Sequence, residues 1–232
     1  MKMKRLLAPK FWKIKKKGKT WVVTPSPGPH KKFQSIPLQI VIRDLLKLAE
    51  TAKEAKTAIT RGDILVDGKI QKDHRFPAGF MDTIAIPKIK KCFRVTLDAN
   101  GLKLVEIPEK EAAIKICRIN GKTTVKKGKM QLNLHDGRSI LVDKNVYNTG
   151  DSIVIELPSQ KIVGHIKMKE GNAGLLTSGK NSGRLATITK IIDVKGGEPN
   201  KTMCEIEGRS VEAMRDHVFI VGEKKPLVTV GE

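Results

Sequence analysis

Residues 59–69 read Ile59-Thr60-Arg61-Gly62-Asp63-Ile64-Leu65-Val66-Asp67-Gly68-Lys69. Gly62 is able to turn left-handed and so ends a helix. Ile64-Leu65-Val66 is a short β-run, and Asp67-Gly68 is a tight-hairpin signal with Lys69-Ile70 leaving on the second strand. Upstream, Thr51-x-x-Glu54 has the spacing of a capping box, in which hydroxyl and carboxylate each satisfy an orphan backbone N–H. Ala52, Ala55 and Ile59 give that helix its apolar side. Further back, Leu38, Val41, Ile42, Leu45 and Leu48 recur at helical spacing and predict a helix over residues 36–49, with Pro37 where a first-turn proline is tolerated. Downstream, Gly79-Phe80-Met81-Asp82 leads into a strand Thr83-Ile84-Ala85-Ile86 that Pro87 closes.

Beyond this segment the chain turns to period two, with turn residues about every ten positions, the pattern of a sandwich or barrel. Phe93-x-Val95-x-Leu97 precedes the turn Asp98-Ala99-Asn100-Gly101, Leu132-x-Leu134 precedes His135-Asp136-Gly137, and Ile153-Val154-Ile155 follows Gly150-Asp151. The exception is a predicted helix over Pro108 to Arg118, from its Glu109-Lys110-Glu111 start and Ala112, Ala113 and Ile116. After Ile162 the alternation Leu185 to Ile191, the turn Gly196-Gly197 and the run Val218-Phe219-Ile220-Val221 read as a small barrel of β-strands. The fold class is therefore α+β and multidomain. The expected divisions are a basic arm over 1–35, a helix-pair-plus-sheet domain over 36–100, a central β-rich domain over 101–165 and a C-terminal β-barrel over 166–232.

Charge narrows the function. Among 232 residues, 45 are Lys or Arg and 24 are Asp or Glu, a net +21. Residues 1–43 hold twelve of the cations, among them Lys2, Lys4, Arg5, Lys10, Lys13, Lys15, Lys16, Lys17, Lys19, Lys31, Lys32 and Arg43, and no acid. Residues 196–232 are slightly acidic, with five Lys/Arg against seven Asp/Glu. A block of one sign repels itself and serves best as an arm on a polyanion. Phe11, Trp12 and Trp21 stand within it, suited either to stacking on exposed bases while the lysines neutralise phosphates or to packing on the body. Cys92, Cys117 and Cys204 form no Cys-x-x-Cys pair, so neither a stapled secreted scaffold nor a structural zinc site is expected. The longest charge-free run, Thr20 to His30, contains three prolines and cannot span a membrane. No apolar stretch follows the N-terminal cations, so no signal peptide is expected.

Motifs for chemistry are few. Gly174 to Asn181 approaches the phosphate-loop pattern, with Gly179-Lys180, but Asn181 stands where a magnesium-binding hydroxyl belongs and a strand-like run follows instead of a helix. His30, His74, His135, His165 and His217 are scattered without metal-pair spacing, and no nucleophile elbow is present. No enzyme activity, metal or cofactor is expected.

The segments resemble known RNA-binding modules. Residues 36–86 resemble the S-four RNA-binding domain, and 167–191, with Gly179-Lys180-Asn181-Ser182-Gly183-Arg184-Leu185-Ala186-Thr187-Ile188, resemble a KOW motif of a small SH3-like barrel. In this order, with Ala8-Pro9-Lys10-Phe11-Trp12, Gly28-Pro29-His30-Lys31, Phe76-Pro77-Ala78-Gly79-Phe80-Met81-Asp82, His135-Asp136-Gly137-Arg138 and Val218 to Gly222, the whole chain resembles the archaeal and eukaryotic small-subunit ribosomal protein S-four-e family. The end at Glu232, without a basic tail, looks more like the archaeal form. The resemblance implies a structural, non-enzymatic ribosomal component in the cytoplasm. Its partners would be small-subunit rRNA and neighbouring ribosomal proteins, with no membrane and no independent homo-oligomer. RNA contacts are expected from Lys4, Arg5, Lys10, Trp12, Lys13, Lys15, Lys16, Lys17, Lys31 and Lys32 in the arm. Arg43, Lys47, Lys53, Lys56, Arg61, Lys69 and Lys72 follow on the S-four face, and Gly179, Lys180, Asn181, Gly183 and Arg184 in the KOW loop. Two rivals are an S-four-containing RNA-modifying enzyme and a KOW-type transcription factor. The first lacks a marked catalytic site in 101–165. The second leaves the S-four segment and the basic leader unexplained.

Overall fold

The computed structural model describes residues 3–125, 128–143, 145–194, 196 and 198–230. Lys2, Gly197 and Glu232, named above, lie outside them. The fold is β-rich with few helices and several sheets, and it divides into two compact units: Met1–Thr96 with Asn100–Lys115, and Leu97–Ala99 with Ile116–Glu232. No helix among the described residues is long and apolar enough to cross a membrane.

In the first unit, β1 (Met3–Lys4) pairs with β2 (Trp21–Val22), setting Lys4 opposite Trp21 on the outer face and Met3 opposite Val22 on the buried one. β3 (Ser35–Pro37) runs into α1 (Leu38–Ile40), which widens to a π turn over Val41–Leu45. The predicted helix over 36–49 thus ends early. Lys47 takes a left-handed φ of 53°, which no helix continues through, and Leu48 is exposed rather than on an apolar face. α2 (Ala52–Arg61) begins on the expected capping box: Glu54 N–H donates to the Thr51 hydroxyl, and the Glu54 carboxylate accepts from the Glu50 and Thr51 amides. It ends on Gly62 at φ 86°. β4 (Leu65–Val66) and β5 (Lys69–Ile70) form the Asp67-Gly68 hairpin. β6 (Pro77–Gly79) pairs with β3, and β7 (Thr83–Ile86), β8 (Lys91–Asp98) and β9 (Gly101–Ile107) complete a sheet of order β5-β4-β7-β8-β9. Leu38, Ile40, Ile59, Ile64, Met81 and Ile84 are fully buried between helices and sheet.

The basic leader is built into this unit. Trp12 is 0% exposed, and its indole Nε1–H donates to the Ser35 carbonyl at 2.9 Å. Truncating a buried Trp typically costs about 3–5 kcal/mol, so this ring belongs to the core and not to a solvent-facing stack. His30 is placed as firmly. Its Nε2 lies 3.0 Å from Asp82 Oδ1, and its ring covers Gly79, where any side chain would collide with it.

The predicted helix over Pro108 to Arg118 is only one turn, α3 (Glu109–Ala112); Ile114 onward is strand β10 (Ile114–Thr124). The buried position of Lys115 explains the difference. At 1% side-chain exposure, its ammonium lies 2.7 Å from Asp67 Oδ2 and 2.6 Å from Asp82 Oδ1. A helical frame gives no signal for a lysine that must reach inward. Arg94, also buried, donates to the Glu111 carboxylate and to the Glu111 and Ile114 carbonyls, fixing the turn between α3 and β10.

In the second unit, β11 (Met130–Leu134), β12 (Ser139–Val142), β13 (Ser152–Glu156) and β14 (Ile162–Ile166) join β10 in the order β12-β11-β10-β13-β14 over a core of Cys117, Ile119, Leu132, Leu134, Ile153 and Ile155. β15 (Ala173–Leu176), β16 (Leu185–Ile192), β17 (Lys201–Ile206), β18 (Arg209–Met214) and β19 (Val218–Gly222) form a second sheet of order β18-β17-β16-β15-β19. Ala186 and Ile188 point inward and Leu185 and Thr187 outward, as the alternation in the sequence requires.

The buried cluster sets a stability prediction. Burial pushes the Asp82 carboxyl up, but Lys115, His30 and the Gly79 amide more than reverse this and hold it below the usual carboxylate range. Its stabilisation is present above the unfolded pKa of about 3.9 and is lost as pH falls toward the lower folded value. Urea unfolding of the wild type is expected to weaken below about pH 5, and Asp82→Asn to lose that part of the slope. Lys115→Met, which strands two buried carboxylates, is expected to cost about 3–5 kcal/mol at pH 7. Wild-type stability independent of pH down to 3, or a neutral Lys115→Met, would contradict this assignment.

Candidate nucleic-acid interface

The first unit carries the densest solvated cations. On α2, Ala55 and Ile59 face the core, which turns Lys53, Lys56 and Arg61 outward. The Thr57 and Thr60 hydroxyls bond back to the Lys53 and Lys56 carbonyls at 2.9 Å and add no competing charge. The hairpin adds exposed Lys69 and Lys72, and a side chain at Gly62 would meet Ile70 and the Lys72 stem. The end of α2 and the hairpin therefore share one basic surface. His74 reports the same field: burial and then the Lys56 charge lower its pKa.

Three of the nearby acids are bonded within the protein, and Glu50 stays exposed. Glu54 closes the capping box, and its pKa is lowered by the Thr51 hydroxyl and the Glu50 and Thr51 amides. Asp63 pairs with Lys88 at 2.8 Å. Asp44 pairs with Arg43 at 2.6 Å, so Arg43 stands half-buried and neutralised beside the patch. Lys47 is exposed on its left-handed turn.

In the leader, Lys4, Lys10, Lys13, Lys15, Lys17, Lys31 and Lys32 are exposed. Arg5 is buried with its Nε on the Lys15 carbonyl, and half-buried Lys16 donates to the Ala8 carbonyl at 3.1 Å. Trp12 is in the core, and the aromatics that reach solvent are Trp21, 52% exposed opposite Lys4, and Phe33, 68% exposed. Phe33 was not singled out from the sequence. Its signal was available, since it directly follows Lys31-Lys32, and the Lys32 ammonium sits 5.5 Å from the ring centroid. The ammonium lies over one face of the ring, and the exposed remainder of the ring can stack an unpaired base.

In the second unit, the loop between β15 and β16 holds Lys180 and Arg184 exposed, with Asn181 half-buried. The two glycines differ. Gly179, at φ 91°, has open space where a side chain would project. Gly183, at φ 82°, lies so close to the Asp98 backbone that a Cβ would sit 2.5 Å from its Cα. Gly183 thus serves packing, and Gly179 alone leaves the backbone open to a partner. Gly183→Ala is expected to destabilise the chain by about 1–3 kcal/mol, from left-handed strain and the clash together. Gly179→Ala carries the strain alone and costs less. Equal costs in urea unfolding would refute the distinction.

One cluster of metal-ligand types, unexpected from sequence spacing, brings Cys117, His135 and Asp136 within 4.8 Å. Their atoms are engaged by the protein: His135 Nδ1 accepts from the Arg118 amide, Asp136 accepts from the Arg138 amide and Nε, and the Cys117 thiol points to Asp136. The cluster clasps the β11–β12 turn to β10.

Comparison with known proteins places this architecture. The model of Ribosomal family S4e matches residues 89–162, and that of the RS4NT (NUC023) domain matches residues 1–33. The chain is similar to small ribosomal subunit protein eS4 of Methanosphaera stadtmanae, 45% identical over 229 residues, covering 98% of this chain and 95% of that protein. The Archaeoglobus fulgidus protein of the same name is 42% identical over 231 residues, covering 98% and 97%. Among solved structures, the 30S ribosomal protein S4e from Thermoplasma acidophilum matches with a TM-score of 0.71 at 31% identity, over 82% of this chain and 96% of that one. With this identity sustained along nearly its entire length, the chain belongs to the ribosomal S4e family.

Proposed function

We propose that the protein is a structural, non-enzymatic constituent of the small ribosomal subunit in the cytoplasm, and that it binds small-subunit rRNA through its basic surfaces. The observation that carries this reading is the unequal placement of charge. Lys53, Lys56, Arg61, Lys69 and Lys72 are solvated, whereas Glu54, Asp44 and Asp63 beside them are bound in a cap and in ion pairs. Each cation set against a phosphate releases condensed counterions, which supplies affinity without base readout. Phe33 and Trp21 add stacking faces for unpaired bases. The names of the relatives support the ribosomal assignment over an RNA-modifying enzyme or a transcription factor.

In this reading the residues divide in labour as a basic leader (1–35), an S-four-like domain (36–100), a central β-rich domain (101–165) and a KOW-bearing SH3-like barrel (166–232). Lys180, Arg184 and the Gly179 backbone form a second, smaller contact, with rRNA or a neighbouring ribosomal protein. The chain works as one copy among those neighbours.

The test is incorporation. The tagged full chain is expected to co-sediment with small subunits and to be stripped by high salt; a free pool in gently washed extracts would contradict the proposal. Lys53→Glu with Lys56→Glu is expected to lower affinity for naked small-subunit rRNA at least tenfold, by exchanging attraction for repulsion at two phosphates. The melting temperature should barely change, because exposed substitutions usually cost about 0.5 kcal/mol or less. Unchanged rRNA affinity in this double variant would remove the α2 face from the interface.

A further inference from the structure

The second unit contains an open cleft of about 440 Å³, lined by none of the residues assigned above to RNA contact. Its walls are Arg118 and Asn120 on β10, Thr149 in the turn before β13, Asn200 before β17, and Arg215 and Asp216 in the short turn before β19. Its size is that of sites taking small organic ligands, roughly 300–1,000 Å³. Its lining is mixed: two guanidinium groups, side-chain amides, a hydroxyl and the Asp216 carboxylate, with Ile119 and Pro199 as the apolar part of the wall.

The arginines are poorly neutralised. Arg118 is largely buried; its Nη1 donates to the Asp216 carbonyl, its Nη2 to Asp216 Oδ1 at 2.9 Å, and its Nε has no hydrogen-bond partner among the described residues. The Asp216 side chain is 85% exposed, and an ion pair to so solvated a carboxylate is worth little. Among the described residues the Arg215 side chain pairs with Asp193 alone, at 3.4 Å, and that carboxylate is also exposed. Burial lowers the pKa of the Arg118 guanidinium, Asp216 opposes this, and the Arg215 charge adds to the lowering. Two like charges thus converge on a solvent-open cleft whose counter-ions are loosely held. A phosphate would relieve the repulsion and take the planar fork geometry of both groups. A bare phosphate would leave most of the cleft empty, whereas a nucleotide would fill it. Asn120, Asn200 and Thr149 supply the donors and acceptors that match ribose and base edges.

We propose that this cleft receives one unstacked ribonucleotide of small-subunit rRNA, with its phosphate held by Arg118 and Arg215. The inference rests on the rRNA-binding reading above and adds to it a site in the other compact unit.

The test uses the full chain with adenosine 5′-monophosphate, adenosine and inorganic phosphate as probes, followed by NMR of the arginine Nε–H groups, and in parallel the affinity for naked small-subunit rRNA. The monophosphate is expected to give saturable shifts at Arg118 and Arg215, with adenosine far weaker. Arg215→Ala should weaken both the monophosphate and the rRNA by roughly tenfold, the loss of one charge-assisted hydrogen bond. Asn120→Asp, at an exposed position, places a repelling carboxylate in the cleft and is expected to act alike; it decides the matter should Arg215→Ala misfold. Shifts that do not saturate, or that appear only on the lysine-rich surfaces, would overturn the site. Variants that lose the monophosphate yet keep wild-type rRNA affinity would overturn the RNA nucleotide as its occupant. Failure of the wild type to bind rRNA would instead overturn the parent reading and the rRNA occupant with it, with the monophosphate shifts still deciding whether the cleft is a nucleotide site.

Discussion

A single buried ammonium organises the first unit. Lys115 lies between Asp67 of the β4–β5 hairpin and Asp82 before β7, and Asp82 in turn takes the His30 ring. Residues 30, 67, 82 and 115 are therefore tied at one point, while the Gly79 and Thr83 amides fill further carboxylate lone pairs. Buried charge is tolerated only when each partner is bonded, and breaking such a cluster costs more than the cluster contributes over an apolar equivalent. Its effect here is positional. It fixes where the leader ends and how the hairpin stands, and hence where Lys31, Lys32 and Lys69 are presented.

This arrangement also explains how a chain so positive can fold. The self-repulsion of the leader is met by packing, not by acids: Trp12 enters the core, Arg5 and Lys16 are bonded to backbone carbonyls, and Lys4, Lys10, Lys13, Lys15, Lys17, Lys19, Lys31 and Lys32 stay in solvent. Glu54, Asp44, Asp63, Asp67, Asp82 and Glu111 are used in a cap and in ion pairs, which leaves the basic faces beside them positive. Binding a polyanion then requires little rearrangement of the protein's own ion pairs, apart from the weak, exposed ones.

Local signals were legible in the sequence wherever they depend on near neighbours. The capping box at Thr51–Glu54, the Gly62 stop, the Asp67-Gly68 hairpin and the alternation through Ala186 and Ile188 all appear at the residues that encode them. The misreadings share a different cause. The helix expected through Arg118 gives way to β10 because Lys115 is drawn inward by Asp67 and Asp82, 48 and 33 positions earlier. Trp12 lies in the core because Ser35 and its surroundings receive it. Gly183, which reads as a loop glycine open to a ligand, is required by the Asp98 backbone. None of these partners is near in sequence, so no periodicity reveals them. The converging arginines of the cleft, 97 positions apart, are invisible in the sequence for the same reason, whereas Phe33 is marked there by the adjacent Lys31 and Lys32.

Binding to rRNA through these surfaces requires phosphate neutralisation by solvated lysines and arginines. The salt dependence of binding between the full chain and naked small-subunit rRNA measures this directly. Several phosphate contacts predict a steep linear fall of log K with log salt, with a slope of roughly 0.7–0.9 per contact. A nearly flat dependence would show that affinity comes from other forces and would contradict the account.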